Sequence, residues 1–313
     1  MIANLFKKEK WQISEHQDQD LCAKLSYIIL SKNRRGLLEK KLDSLRQKQR
    51  VKEAQIFIGE DNQATVCRLI KNHLIVREVS PLERLGTLMQ SISTDYCVLT
   101  ADDDMIISKD ISRHIKYLDE HPDYVGSQGL FYSKIEPASP IESYRPSLQD
   151  KSPEQRIISL LENYGHFNYA IIRTSFLRKM RVMSKSLKSE NSLNFQEVLW
   201  NIVLAASGKI KVFHEPFVLR DPTQTKGWWR DFMAGNLADH FTEDTKAVSK
   251  AIMETTPCFN DDTLVELIIY FIFKDSTCLS QETKNLMTVR PEQVCDSEKL
   301  PNKMKALCTK DWD

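Results

Sequence analysis

Three consecutive carboxylates, Asp102, Asp103 and Asp104, follow the apolar run Tyr-Cys-Val-Leu-Thr at 96–100 and Ala101. Neighbouring carboxylates repel one another, and burying any of them without a partner costs several kcal/mol. Such a cluster needs either a compensating cation or full exposure to water. Hard carboxylate oxygens suit Mg2+ or Mn2+, with water and substrate phosphates completing the coordination shell. The alternative is a solvated acidic turn that favours the start of the helix after it. A further acid, Glu197, follows Phe195 and Gln196 at the front of another helical stretch. There it can form half of a capping box with Asn194 three residues before it.

Hydrophobic periodicity identifies the elements that must hold these acids. Residues 25–30 form a β-branched and aromatic strand, and 36–45 place Leu37, Leu38, Leu42 and Leu45 at helical spacing. Strands are expected at 55–59, which runs into Glu60, Asp61 and Asn62, and at 73–79. Residues 81–92 read as a helix with Leu82, Leu85, Leu88, Met89 and Ile92 on one face. After the strand at 96–100, Ser108 is the expected cap of a helix carrying Ile111, Ile115 and Leu118, stopped by His121-Pro122. Alternation of strands and helices at this spacing predicts an α/β fold: a mainly parallel sheet flanked by helices. In such sheets ligands bind beyond the carboxyl ends of the strands, where both acidic clusters fall.

Further along, 136–153 contains Pro137, Pro140, Pro146 and Pro153 and reads as a long functional loop. A strand is expected at 167–172, a helix at 194–207 closing on Gly208, and a strand at 209–213 with Pro216 after it. The pattern divides into an extension at 1–23, an α/β domain at 24–225 and a helical region at 226–313.

Composition narrows the class. Forty-four Lys and Arg against 43 Asp and Glu leave a net charge of +1, and the basic residues are interspersed with acidic ones, which argues against a nucleic-acid partner. Seven cysteines without a C-x-x-C pair give neither a disulfide framework nor a thiolate zinc site, and fit a reducing compartment. Residues 11–20 are polar where a signal peptide needs an apolar stretch, and the longest apolar run, 267–273, is far short of the ~20 residues of a bilayer span. A soluble, cytoplasmic protein is therefore expected.

The stretch 98–107, an apolar strand leading into Asp102, Asp103 and Asp104 and then Met105, Ile106 and Ile107, resembles the D-x-D segment of GT-A glycosyltransferases. The likeness is to the large inverting family 2, which includes cellulose, chitin and hyaluronan synthases. It implies a Rossmann-like nucleotide-diphospho-sugar transferase fold with a C-terminal helical extension. It also implies that Asp102 approaches the ribose and the metal, that Asp103 stands beside them in the nucleotide-sugar site, and that Asp104 binds the metal. The segment 27–45, with Ser31, Lys32, Asn33 and Arg34 before a Leu-rich helix, is similar to the first strand, nucleotide loop and first helix of those enzymes. Ser31 and Arg34 would then face the nucleotide.

The same family contacts uracil through an acid ending its second strand, a place taken here by Glu60 or Asp61. The usual Asp-Asp-Gly-Ser is replaced by Gly59, Glu60, Asp61 and Asn62, so a UDP-sugar donor is implied by the family alone. Inverting members carry their base in a Glu-Asp pair at a helix start. Here the pair is Gln196-Glu197, leaving Glu197 as the acid to serve.

Some relatives take a further metal ligand after the last strand, where His214, Asp221 and His240 stand. Trp228 and Trp229 form either a sugar platform or lid, or ordinary helix packing. His166, Asn168 and Tyr169 fall on the acceptor side, for a glycan, lipid-linked or protein acceptor. Two other functions share the acidic strand end: a Mg2+-dependent phosphohydrolase or nucleotidyltransferase, and a nucleotide-sugar or carbohydrate-binding module without catalysis. An aspartyl-phosphate hydrolase would need Asp after the first strand, where Ser31, Lys32 and Asn33 stand.

Overall fold

The computed structural model describes residues 23–31, 34–48, 55–59, 73–76, 87–106, 110–133, 141–143, 146–162, 167–177 and 193–220, with short helical pieces at 245–247, 249–250, 252 and 263–268. The strands are β1 (Leu25–Leu30), β2 (Gln55–Gly59), β3 (His73–Val76), β4 (Tyr96–Ala101), β5 (Met105–Ile106), β6 (Tyr124–Ser133), β7 (Ile141–Ser143), β8 (Ile171–Arg173) and β9 (Lys209–Arg220). The main helices are α1 (Arg35–Lys48), α2 (Ile111–Glu120), α3 (Pro153–Glu162) and α4 (Leu193–Ser207).

The strands form one sheet in the order β3-β2-β1-β4-β8-β6-β9-β5, with β7 paired to β6. From β3 to β4 all pairings are parallel; β8 then runs antiparallel to both β4 and β6, while β6 and β9 are parallel again. The sheet is mixed, and its longest pairings, β1 with β4 and β6 with β9, are parallel, which matches the expected parallel bias.

Strand β1 shows why both faces are covered. Its side chains alternate: Leu25, Tyr27 and Ile29 join one apolar cluster with Leu38, Leu42 and Leu45 of α1 and Ile111, Ile115 and Leu118 of α2, whereas Ile28 joins a second cluster with α3 and α4. A strand buried on both faces needs a continuous apolar run rather than an alternating one. Helix α4 is apolar around most of its circumference from Val198 to Ala206 and is buried accordingly. Its last carbonyls are capped by the buried Arg156 of α3, which donates to Ala205 O at 2.7 Å and Ala206 O at 3.0 Å.

Several elements depart from the sequence expectation. Asp110, not Ser108, caps α2, its side chain accepting from the Arg113 amide at 3.0 Å; Ser108 itself lies outside the described residues. The expected long loop at 136–153 contains β7, and Leu148 bridges to Ile210. The strand expected at 167–172 begins at Ile171, because 167–170 form a turn closed by the Ala170 amide on Phe167 O at 3.0 Å. Strand β9 continues through Pro216 to Arg220, since the proline sits where the register with β6 shifts and no ladder donor is required. Of the helix expected at 81–92, residues 87–91 are described and helical.

The β6–β9 seam admits no side chain at Gly129. A Cβ there would collide with the Glu215 carbonyl oxygen and come within 2.8 Å of Phe217 Cβ. Overpacking of a tight interior typically costs about 1–3 kcal/mol. Gly129→Ala is expected to lower the urea midpoint by an amount in that range, with an unchanged m-value.

Candidate active site

Parallel pairing of β1 with β4 sets Leu30 opposite Ala101, and the Asp102 amide donates to Leu30 O at 3.2 Å. The residues that follow, Ser31 and Asp102, therefore leave the sheet side by side. Ser31 Oγ donates to Asp102 Oδ2 at 2.7 Å. Arg34, whose carbonyl accepts the first amides of α1, donates through Nε to the same oxygen at 3.2 Å. Its Nη2 lies 2.5 Å from Asp102 Oδ1 without the alignment of a hydrogen bond, and its Nη1 is 2.6 Å from Asp103 Oδ2. Ser31, Arg34, Asp102 and Asp103, predicted separately, thus form one cluster.

Asp104 has partners of its own. Its Oδ2 accepts from the hydroxyl of Tyr169, in the turn before β8, and its main-chain carbonyl accepts from Lys41 Nζ of α1. Lys41 also donates to Thr100 Oγ1 at 2.9 Å. Asp102 and Asp104 are 3% and 4% exposed. The solvated-turn alternative is therefore excluded for these two, and the turn is compensated by cations of its own chain.

Burial dominates the protonation equilibria. It raises the Asp102 carboxyl, against the pull of Ser31 and Arg34, and raises Asp104 against Tyr169. For Arg34, burial opposes the charge, yet Asp102 and Asp103 outweigh it and raise the pKa. Lys41 is pushed down to about 8 by burial, with Asp104, Asp102 and Asp103 resisting. Glu197, on the second turn of α4, is pushed up to about 7, chiefly by burial; Arg220 at the end of β9 lowers it and Asp104 raises it again. That mutual influence sets Glu197 at the same end of the sheet as Asp104. Since α4 begins at Leu193, Asn194 is within the helix and the capping-box alternative fails.

The donor chemistry fits a divalent cation that brings most of its own shell. Among the described residues no three His, Cys, Asp or Glu side chains converge as a cage. Two buried aspartates one residue apart supply hard oxygens, and a cation such as Mg2+ takes few protein ligands and keeps its remaining positions for water and phosphate. His214 is on β9 and exposed. Glu60, Asp61, His166, Asp221, Trp228, Trp229 and His240 lie outside the described residues.

Two contributors were missed by sequence reasoning. Lys41 had a signal: it interrupts the stripe of Leu38, Leu42 and Leu45 at the i+3 position, where a buried charge demands a partner. Arg220 had none, being one basic residue at the end of a strand.

This mixed sheet, whose parallel half carries the cluster at its carboxyl edge and which has helices on both faces, has the GT-A fold. Solved structures with this fold include residues 1–349 of S. aureus TarS, which matches with a TM-score of 0.57 and 14% identity over 84% of this chain and 77% of that one. The same TarS segment in complex with UDP-GlcNAc matches with a TM-score of 0.57 and 13% identity over 84% and 78%. Its complex with UDP gives 0.57 and 14% over 82% and 76%. Against a longer TarS structure the match covers 50% of that chain, with a TM-score of 0.51. No protein-family model matches the sequence, and no curated protein compared with it is a significant match. No helix among the described residues is long and apolar enough to cross a membrane.

The raised Glu197 carries a stability signature. The folded state holds its proton up to about 7 whereas the unfolded chain releases it near 4.5, so this group's stabilisation is complete below 4.5 and lost as pH rises through 7. Glu197→Gln is therefore expected to gain stability over wild type across that interval and to keep the gain above it, as read by thermal denaturation at pH 5, 6, 7 and 8.

Proposed function

We propose that the protein is a metal-dependent glycosyltransferase that moves a sugar from a nucleotide-sugar, with UDP as the nucleotide, to an acceptor hydroxyl with inversion. The observation that carries this reading is the convergence of Ser31, Arg34, Asp102, Asp103, Asp104 and Tyr169 at the carboxyl ends of adjacent strands, with Glu197 in electrostatic contact with Asp104. TarS structures in complex with UDP and UDP-GlcNAc support a nucleotide-sugar ligand for this fold. The inverting family 2 type, the UDP base and the cytoplasmic location rest on sequence. So does the division into a catalytic unit at 24–225 and a helical region at 226–313.

Transfer by single displacement poses two problems, a weak nucleophile and an anionic leaving group. Glu197 accepts the proton of the acceptor hydroxyl; that oxygen then bonds to the anomeric carbon while the bond from that carbon to the nucleoside diphosphate breaks on the opposite face. A base held near neutrality by burial is suited to this at physiological pH. Mg2+ or Mn2+ held by Asp102 and Asp104 would neutralise charge on the departing diphosphate, a contribution of several kcal/mol. Tyr169 fixes the orientation of Asp104, and Arg34 and Ser31 fix Asp102. Next to Tyr169, both ends of the buried Asn168 amide lack a hydrogen-bond partner among the described residues.

The test is turnover of a panel of nucleotide-sugars with and without Mn2+, with product stereochemistry read by NMR. Wild type is expected to require the metal, Asp104→Asn to lose turnover, and Glu197→Gln to lose roughly 100-fold to 10,000-fold in kcat. In wild type kcat/KM is expected to rise with pH through about 7, as Glu197 loses its proton. Donor binding with no turnover by wild type on any acceptor would leave a binding module. Phosphate release without sugar transfer would point to a hydrolase.

A further inference from the structure

We propose that Lys41 is a built-in counter-cation of the acidic turn, a positioning residue that anchors the main chain at Asp104 and restrains divalent-metal binding until the donor diphosphate is present. The inference rests on the metal reading above.

Lys41 occupies a position on α1 where the pattern calls for an apolar side chain. Leu38, Leu42 and Leu45 are 0%, 1% and 2% exposed, and Lys41 among them is 3% exposed. Burial of the three leucines favours docking of this helix and offsets the desolvation cost of the ammonium. Helix docking therefore tolerates Lys41 without requiring it, and what matches the buried charge is the turn. Its Nζ donates to the Asp104 carbonyl and to Thr100 Oγ1, and the three nearby negative charges are Asp104, Asp102 and Asp103.

The two cations bonded to the turn, Arg34 and Lys41, differ in freedom. Arg34 has a side chain 32% exposed, sits at the start of α1 and grips Asp102 and Asp103 from the solvent side. It can swing toward an incoming phosphate. Lys41 reaches the turn from within the core, and its hydrogen bonds hold the Asp104 main chain, so it remains in place whatever binds above. Three carboxylates face these two cations, and Arg220 also acts on Asp104, so the turn by itself offers weak attraction for a divalent ion. A diphosphate adds further negative charge on the open side and releases Arg34 from Asp102. Metal and nucleotide then bind with positive coupling, and the fixed position of the Lys41 ammonium sets its size.

A purely structural lysine would behave differently on removal: the turn would loosen and metal affinity would fall. Under the proposal, affinity for the metal alone rises because repulsion is removed. At a separation of about 6 Å, loss of one unit charge is worth about tenfold in affinity for a divalent ion even at the dielectric constant of water, about 80, and more at the lower values inside a protein.

The experiment titrates Mn2+ into the full chain, reading free Mn2+ by its EPR signal, with and without saturating UDP. Wild type, Lys41→Gln, Lys41→Met and Lys41→Arg are compared, and circular dichroism reports folding. The expected result is Mn2+ binding without UDP at least about tenfold tighter in the Gln and Met variants, a smaller enhancement by UDP in both, and near wild-type behaviour in the Arg variant. Gln keeps a donor for the Asp104 carbonyl, so it carries the test if Met fails to fold. Unchanged or weaker Mn2+ binding by Lys41→Gln, with UDP still promoting binding to wild type, overturns the role of Lys41 and leaves the metal reading intact. Failure of wild type to bind Mn2+ even with UDP overturns the metal reading and this inference together.

Discussion

Compensation of buried negative charge is the constraint on which the site depends. Asp102 and Asp104 are almost wholly removed from solvent, and a carboxylate in that state is tolerated only with charge and hydrogen bonds directed at it. The chain supplies both from a single segment, the loop and helix after β1: Ser31 and Arg34 from above, Lys41 from below. Because β1 and β4 are adjacent and parallel, the two ends arrive together.

The rest of the sheet extends the arrangement. Strand β8, antiparallel between β4 and β6, brings the turn containing Tyr169 beside Asp104. Strand β9 runs on through Pro216 and delivers Arg220 to the vicinity of Asp104 and Glu197. Helix α4, apolar on most sides and capped by Arg156, is a rigid support for a carboxylate near its start. A second buried polar group, His114, bonds Ser127 at 2.6 Å and Glu215 at 3.0 Å and docks α2 onto β6 and β9. Ser127 is fully buried, so this Ser-His-Glu arrangement has no route to a substrate and serves to fix the seam on which β9 depends.

Much of the frame was legible from sequence because its signals are local. Apolar runs of strand length, leucines at helical spacing and glycine at a helix end identified β1, α1, β4, α2 and α4 within a few residues. Boundaries were lost where tertiary contacts override local pattern: Pro216 is carried inside β9 by a register shift, and β8 is shortened by a turn that its own sequence does not announce. The acidic turn was visible as a candidate site, but the sequence left open whether it was solvated or buried.

By itself, the sequence determined which carboxylates end an apolar strand, and so where chemistry was available, since strand and helix periodicity depend on near neighbours. Tertiary structure alone decided what those carboxylates meet. Pairing of β1 with β4 placed Arg34 against residues some 70 positions away, helix packing drove Lys41 under Asp104, and β8 supplied Tyr169. Charge compensation acts through space between groups distant in the chain, so no local pattern encodes it.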